Sequence, residues 1–208
     1  MTCFNCRNCG SPINRKILDL GFAPPSNAYI SNENLNSSEV FFPLRLRVCE
    51  TCWLVQTEDF TDATSIFNDE YAYFSSVSEG WLDHAKKYSH YVIERFNLNS
   101  ESQVVEIASN DGYLLRNFVD MNIPCLGVEP TASTATVAEN FGIPVKRAFF
   151  TEALAEEIAE TGNSADLIVG NNVYAHVPDI NDFTRGIKKL LKPDGIVTLE
   201  FPHLMKLI

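Results

Sequence analysis

No apolar run in this chain approaches the about 18 residues that a membrane-crossing helix requires. The opening residues, MTCFNCRNCG, lack the basic-then-apolar pattern of a secretory signal. Both absences point to a cytoplasmic protein with no membrane partner. Basic residues are scarce as well: 16 Lys and Arg stand against 27 Asp and Glu, a net charge of −11. A surface this acidic repels a phosphate backbone, so nucleic acid is not an expected partner. An anionic small substrate would need local help from helix N-termini or a few basic side chains. There is no internal repeat and no low-complexity tract. Glycine is short at one telling place: the strand and turn around residues 103–112 hold a single glycine where a dinucleotide fold carries three.

What is present is an ordinary globular composition, 45% hydrophobic and 21% charged over 208 residues, enough for one large domain or two small ones. Five of the six cysteines fall in two clusters, Cys3-Cys6-Cys9 and Cys49-Cys52, with Cys125 apart. In a reducing compartment, paired CxxC units point to metal or redox chemistry rather than structural disulfides. Four thiolates suit tetrahedral zinc, with Cys6, Cys9, Cys49 and Cys52 as ligands. Cys3 could replace Cys6 or Cys9, but Gly10 after Cys9 is the residue that lets a knuckle turn. A complete set of four thiolates leaves no open position, so the expected role is structural.

The texture of the chain suggests three segments: a cysteine-pinned β module over 1–68, a connecting segment and helix over 69–100, and an α/β domain over 101–208. Strands are expected at Lys16–Leu20 and Phe41–Val48 in the first. A helix over Glu79–Phe96 places Trp81, Leu82, Ala85, Tyr88, Val92 and Phe96 on one face; His84 and His90 read as polar-face or boundary residues. From Gln103 on, strands (Gln103–Ile107, Pro124–Glu129, Pro144–Lys146, Ala165–Asn171, Gly195–Phe201) alternate with helices (Tyr113–Met121, Ala132–Phe141, Glu152–Thr161, Ile180–Leu191). Thr151 and Asp179 are candidate N-caps, Gly142 a helix stop, and Lys192-Pro193-Asp194-Gly195 a turn. This rhythm gives a Rossmann-like, doubly wound parallel sheet, incomplete at one edge. The last strand would leave an apolar edge at Ile196–Phe201. A further C-terminal domain or a partner chain is expected to cover it.

The chemistry centres on QVVEIASNDG. The strand ends on the acid Glu106, and Ala108, Asn110 and Gly112 stand where three glycines would seat a pyrophosphate. That argues against NAD or FAD. It suits S-adenosylmethionine, which has an amino-acid head and no pyrophosphate. Asp111 belongs to the same turn. Glu129, followed by Pro130, ends the second strand 17 residues after Gly112, where an acid grips ribose hydroxyls. Asn171 and Asn172 end the fourth strand, near the cofactor's reacting end. His176 lies in the loop after that strand and could transfer a proton or orient a substrate oxygen. Tyr71 and Tyr73 belong to an aromatic, serine-rich stretch that could fold over the cleft.

The motifs CRNCG, LDLGFAPPSN, FPLRLRVCETCWLVQ, YAYFSS, VVEIASNDGYLL, LGVEP, VKRAFF, NNVYAHVPDINDF and LLKPDGIVTLEFPH resemble the sugar C-methyltransferases of the novobiocin and tetronitrose pathways. The resemblance runs from about Cys6 to Ile208. It implies a zinc-binding N-terminal domain, an S-adenosylmethionine domain and a C-terminal domain. It also implies methylation of a ring carbon beside the keto group of a nucleotide-linked deoxysugar. On this resemblance Cys6, Cys9, Cys49 and Cys52 match the zinc ligands, Glu106 to Gly112 the cofactor loop, and Glu129 the ribose acid. Tyr71 and His176 match residues near the reacting sugar, and Phe149 packs on the adenine. Ala108 stands where many members have glycine, and Ala148 where many have an acid. The family's tyrosine–x–glutamate–histidine motif, with its main proton-transfer groups, lies beyond Ile208, so this piece is expected to bind zinc and cofactor but to turn over little. The other readings are a methyltransferase for a different small molecule and a non-catalytic zinc- and cofactor-binding module.

Overall fold

The computed structural model describes residues 4–67, 71 and 73–207; Cys3 lies outside them. The chain divides into two compact units, 1–72 with 178–181, and 73–177 with 182–208.

The first unit is built from antiparallel strands. β1 (Phe4–Asn5) pairs with β2 (Pro12–Ile13), and β3 (Arg15–Ala23), β4 (Phe42–Val48) and β5 (Val55–Thr57) form a second sheet in that order, followed by the one-turn α1 (Ala63–Ile66). β3 runs past the expected Leu20 because Gly21, at φ 80°, takes a left-handed conformation and donates its amide to Asp19 Oδ1 at 3.1 Å. The register shifts there, and pairing resumes at Phe22 opposite Pro43. The sheet has little core of its own: no residue of β3 or β4 is buried, and Leu20 and Phe22 are exposed. The buried cluster is Cys6, Ile13 and Cys49, with Cys52 and Leu54 against it. A second tie is polar. The Glu58 carboxylate is fully buried between Arg47, which pairs with it closely, and Arg45 at 3.4 Å.

The second unit begins with α2 (Glu79–Phe96). Ser78 Oγ caps it by accepting from the Trp81 amide, and Asn97, left-handed at φ 51°, ends it. Five parallel strands follow: β6 (Val104–Ile107), β7 (Cys125–Val128), β8 (Val145–Lys146), β9 (Ala165–Asn171) and β10 (Leu191–Glu200). They alternate with α3 (Arg116–Asp120), α4 (Ala132–Asn140), α5 (Glu152–Glu160) and α6 (Ile180–Leu190). The sheet order is β10-β9-β6-β7-β8. The chain therefore starts at the central strand, winds outward to β8, and returns on the other side. The topological switch lies between β6 and β9, where open α/β sheets bind ligands at the strands' carboxyl ends. Both faces are covered. α2, α3 and the turn before α3 pack Val92, Phe118 and Leu114 against Val104, Leu167 and Val169. α5 and α6 pack Ile158, Phe183, Ile187 and Leu190 against Val105, Ile107 and Ile168. The doubly wound fold expected from the sequence is the one observed.

Local corrections are needed in two places. The helix expected over Tyr113–Met121 shrinks to α3, because Tyr113–Leu115 are wound into tight turns after three left-handed residues, Ala108, Asn110 and Gly112. The Asn117 side chain donates to the Leu114 carbonyl at 2.9 Å, competing with regular helical bonding. Lys192–Gly195 does not separate α6 from a later strand. It is an irregularity inside β10, between the pairings Leu191–Ala165 and Ile196–Leu167. Gly195 fits because a Cβ there would lie 2.7 Å from the Ala165 carbonyl oxygen. Three boundary expectations hold: Thr151 Oγ1 accepts from the Leu154 amide at 3.2 Å, Asp179 Oδ1 accepts from the Asn181 amide at 3.0 Å at the start of α6, and Gly142 follows α4 at φ 77°.

Candidate metal centre and cofactor site

In the first unit the sulfurs of Cys6, Cys9, Cys49 and Cys52 all lie within 4.8 Å of one another. Cys6–Cys52 and Cys9–Cys49 are 3.5 and 3.6 Å apart. A tetrahedral ion with bonds of about 2.3 Å places its sulfurs about 3.8 Å apart; a disulfide would bring two to about 2.05 Å. The set therefore fits a metal and not a pair of disulfides. Two similar turns present the thiols. The Gly10 amide donates to the Cys6 carbonyl and the Trp53 amide to the Cys49 carbonyl, both at 2.8 Å. Gly10 sits at φ 73° and Trp53 at φ 65°, so the second knuckle puts a tryptophan where the first has glycine. Gln56 Nε2 points at Cys6 Sγ, 3.4 Å away. Burial alone would raise the Cys6 pKa, but the Cys9 amide, Gln56 and the Asn8 amide bring it down to about 6, which favours a thiolate ligand.

In the second unit, the turn after β6 forms a cradle of acceptors. Glu106 is fully buried, and neither carboxyl oxygen has a hydrogen-bond partner among the described residues. Burial pushes its pKa well above the carboxylate range; the nearby Tyr113 hydroxyl only partly offsets this, and Glu129 and Asp111 add to it. Ser109 Oγ, Asp111 Oδ1, Thr131 Oγ1 and Ser133 Oγ are also buried without partners among the described residues. Buried polar atoms without partners are uncommon in native folds. So many acceptors beside a left-handed turn fit a ligand that brings ammonium and hydroxyl donors. Gly112 is required where it stands: at φ 77°, an added Cβ would lie 2.5 Å from Ile143 Cδ1.

The structure brings together Glu106, Ala108, Asn110, Asp111, Gly112 and Glu129. The Glu129 carboxylate is 5% exposed and already accepts from the Asn110 amide through Oε2 and the Thr131 amide through Oε1, both at 2.9 Å. These bonds fix its orientation. Pro130 follows it, half-buried. Asn110 makes contacts that the sequence did not reveal. Its side chain is committed to the protein, because Oδ1 accepts from the Ser75 amide at 2.9 Å and Nδ2 donates to the Tyr73 carbonyl at 3.1 Å. Asp111 Oδ2 likewise accepts from the Ser76 amide at 3.0 Å. The serine-rich stretch is thus tied to the turn, which the sequence pattern did not reveal.

Asn171 Nδ2 donates to the Tyr113 hydroxyl at 3.4 Å, and Asn172 is left-handed at φ 52°. Tyr113 escaped the sequence reading. It is 4% exposed, and burial raises its pKa far above the usual phenol range, with Glu106 adding to this. A polar tyrosine directly after a cofactor turn was the available signal. Phe149 is partly exposed at 38%. His176 lies in a short 3-10 turn after β9, its amide bonded to the Val173 carbonyl at 2.8 Å. Tyr71 belongs to the first unit, its ring 5.1 Å from that of Phe67.

Residues 6–67 match a family described as "Putative zinc binding domain". Residues 81–205 match one described as "Methyltransferase domain". The chain belongs to the methyltransferase domain family. The C-methyltransferase NovU of Streptomyces niveus is 32% identical over 203 residues, which is 98% of this chain and 48% of NovU. A ubiquinone biosynthesis O-methyltransferase of Rhizobium etli (strain CIAT 652) is 27% identical over 99 residues, 46% of this chain and 39% of that protein. The methyltransferase chain thus spans about half or less of the length of the curated relatives it matches. Among solved structures, Streptomyces venezuelae DesVI overlays with a TM-score of 0.47 at 14% identity, covering 59% of this chain and 51% of DesVI. The zinc-binding N-terminal domain and the methyltransferase domain expected from the sequence are borne out by these two family matches. A methyltransferase domain implies S-adenosylmethionine as cofactor, and the four-cysteine cluster of the N-terminal zinc-binding domain is the zinc site. Among the described residues no helix is long and apolar enough to cross a membrane.

Proposed function

We propose that this methyltransferase acts in the cytoplasm on a carbon beside the ketone of a nucleotide-linked deoxysugar. The observation that carries the reading is the cradle of partnerless buried acceptors around Glu106, in a chain aligned almost end to end with a C-methyltransferase. When bound, S-adenosylmethionine supplies an electrophilic methyl group. Glu106 and Asp111 accept hydrogen bonds from its amino-acid head, and Glu129, held by two amides, accepts from its ribose hydroxyls. Asn171 and Asn172 line its reacting end, and Phe149 lies against the base. His176 hydrogen-bonds the oxygen on which enolate charge develops. Tyr71 is a substrate contact by resemblance. Zinc holds residues 1–68 together as a structural domain, residues 69–100 connect, and residues 101–208 bind the cofactor.

The test combines calorimetry with thermal shift. S-adenosylmethionine should bind with one site per chain, and nucleoside diphosphate keto-deoxyhexoses should raise the melting temperature further. Glu106→Gln and Glu129→Ala should each weaken cofactor binding at least about tenfold, as loss of a hydrogen bond to a charged or buried partner does. Stabilisation by quinols or phenols and by no nucleotide sugar would overturn the sugar reading in favour of another small molecule. Tight NADH binding would overturn the cofactor assignment.

A further inference from the structure

Gln56 carries a buried amide, 8% exposed, in β5, four residues after Cys52. β5 leaves the second knuckle, which the Cys49 amide closes by donating to the Leu54 carbonyl at 3.0 Å. It then pairs with β4, Gln56 standing opposite Arg47. The Gln56 side chain reaches back to the first knuckle. Its Oε1 accepts from the Arg7 amide at 3.2 Å, and its Nε2 donates to Cys6 Sγ, 50 residues earlier, at 3.4 Å. Arg7 Nη2 adds bonds to the Thr57 carbonyl at 2.9 Å and to Asp59 Oδ1 at 2.6 Å. The strand that follows one pair of cysteines is thus fastened to the turn that carries the other.

These partners fix which way the amide points. A backbone N–H can only donate, so the Gln56 oxygen faces Arg7. That turns the amino group toward Cys6, whose sulfur accepts when it is a thiolate. The direction matters because of where Cys6 lies. It is 3% exposed, so water has little access to its sulfur. Four thiolates outweigh one divalent ion, and a buried surplus of negative charge is costly without hydrogen-bond donors. The backbone amides of Cys9 and Asn8 also bond this sulfur. Gln56 adds a side-chain donor, one that a single substitution can remove.

We infer that Gln56 is a positioning residue of the zinc site: by donating to Cys6 Sγ it sets how tightly and for how long the metal is held. The inference rests on the zinc assignment above. Gln56 touches a ligand sulfur and not the metal, and it acts by orienting that sulfur and offsetting its charge. Because Gln56 is carried by β5, the same bond makes metal retention depend on the pairing of β5 with β4. A β5 that peels away withdraws the donor from Cys6.

The test uses the full chain loaded with zinc, titrated with a chromophoric chelator, with zinc transfer followed over time. Gln56→Leu should weaken zinc binding about 10- to 100-fold, the usual effect of losing a hydrogen-bond partner of a metal ligand, and should speed release. Gln56→Glu keeps an oxygen for the Arg7 amide but lacks the donor, so it should weaken binding at least as much. Cobalt(II) exchanged into the site reports on the sulfurs directly. Both variants should move the sulfur-to-cobalt charge-transfer band to longer wavelength, because a thiolate without its hydrogen bond gives up electron density more readily. Arg7→Ala keeps the backbone bond to Gln56 and should leave the band in place. A role in packing alone predicts a lower melting temperature for Gln56→Leu with zinc affinity and cobalt band unchanged, and that result would overturn the inference. So would zinc affinity of Gln56→Glu within threefold of wild type. If Gln56→Leu fails to fold, Gln56→Glu, which matches the native side chain in size, decides the question. A wild type that retains no zinc would overturn both the inference and the zinc assignment.

Discussion

The Asn110 carboxamide grips Ser75 and the residue two before it at once, accepting from the Ser75 amide at 2.9 Å and donating to the Tyr73 carbonyl at 3.1 Å. Its own amide donates to Glu129. One left-handed residue thus joins the serine-rich stretch, the cofactor turn and the ribose acid. Asn110→Ala should cost roughly 2–4 kcal/mol, from two lost hydrogen bonds of about 1 kcal/mol each and the left-handed backbone that alanine resists. Asn110→Gly keeps the backbone conformation and should lose less. Urea denaturation of the two variants separates the contributions, and equal losses would show that the backbone term is negligible.

Glu106 gives a pH dependence whose sign is fixed by its burial. Its folded-state pKa is raised, so between the ordinary carboxylate range and that raised value the folded state holds a proton the unfolded chain has released. Stability from this group is present at low pH and falls as pH rises through that window. Glu106→Gln removes the titration. Without cofactor, the variant should melt above the wild type at pH 8, and the gap should close toward pH 5. A gap that widened on acidification would contradict the burial argument.

Gly112 and Gly142 share a φ of 77° but differ in surroundings. At Gly142 an added Cβ meets nothing within 4 Å, so Gly142→Ala should cost only the backbone term, about 1 kcal/mol. At Gly112 the Cβ would also meet Ile143 at 2.5 Å and the Ala138 backbone at 3.2 Å. Gly112→Ala should cost about 2–4 kcal/mol and weaken S-adenosylmethionine binding. Thermal melts and calorimetry on the two variants check the difference.

Zinc removal should act on the first unit. Its buried cluster consists largely of the ligands themselves, so metal binding supplies much of its folding free energy. Chelator treatment should expose residues 15–57 to proteolysis. Cys49→Ser should abolish zinc retention measured by atomic absorption. Cys3→Ser should keep one zinc per chain, because four other sulfurs already close a tetrahedron.

Much of the second unit was legible in the residues, because strand and helix periods differ and the boundary residues carry local chemistry. α2 spans the expected Glu79–Phe96 and β9 the expected Ala165–Asn171. The short α3 was not legible, since its late start depends on left-handed conformations at Ala108 and Asn110 that non-glycine residues rarely signal. The same limit hid the bulged extension of β3 and the strand-embedded Lys192–Gly195. His84 read as a surface residue because helical periodicity locates its face of α2 but not the distant Glu200 that meets it.

The sequence by itself determined the alternation that winds a parallel sheet, the two CxxC pairs that hold a metal, and the single-glycine turn that disfavours a pyrophosphate. These are local patterns, set by spacing and side-chain type. Only the tertiary structure decided that the Asn110 side chain is used to tie down residues 73 and 75, that Glu106 is buried without a partner, and that His84 faces Glu200. Those facts depend on groups far apart in the chain that meet only after the sheet has formed, and on how completely water is excluded where they meet.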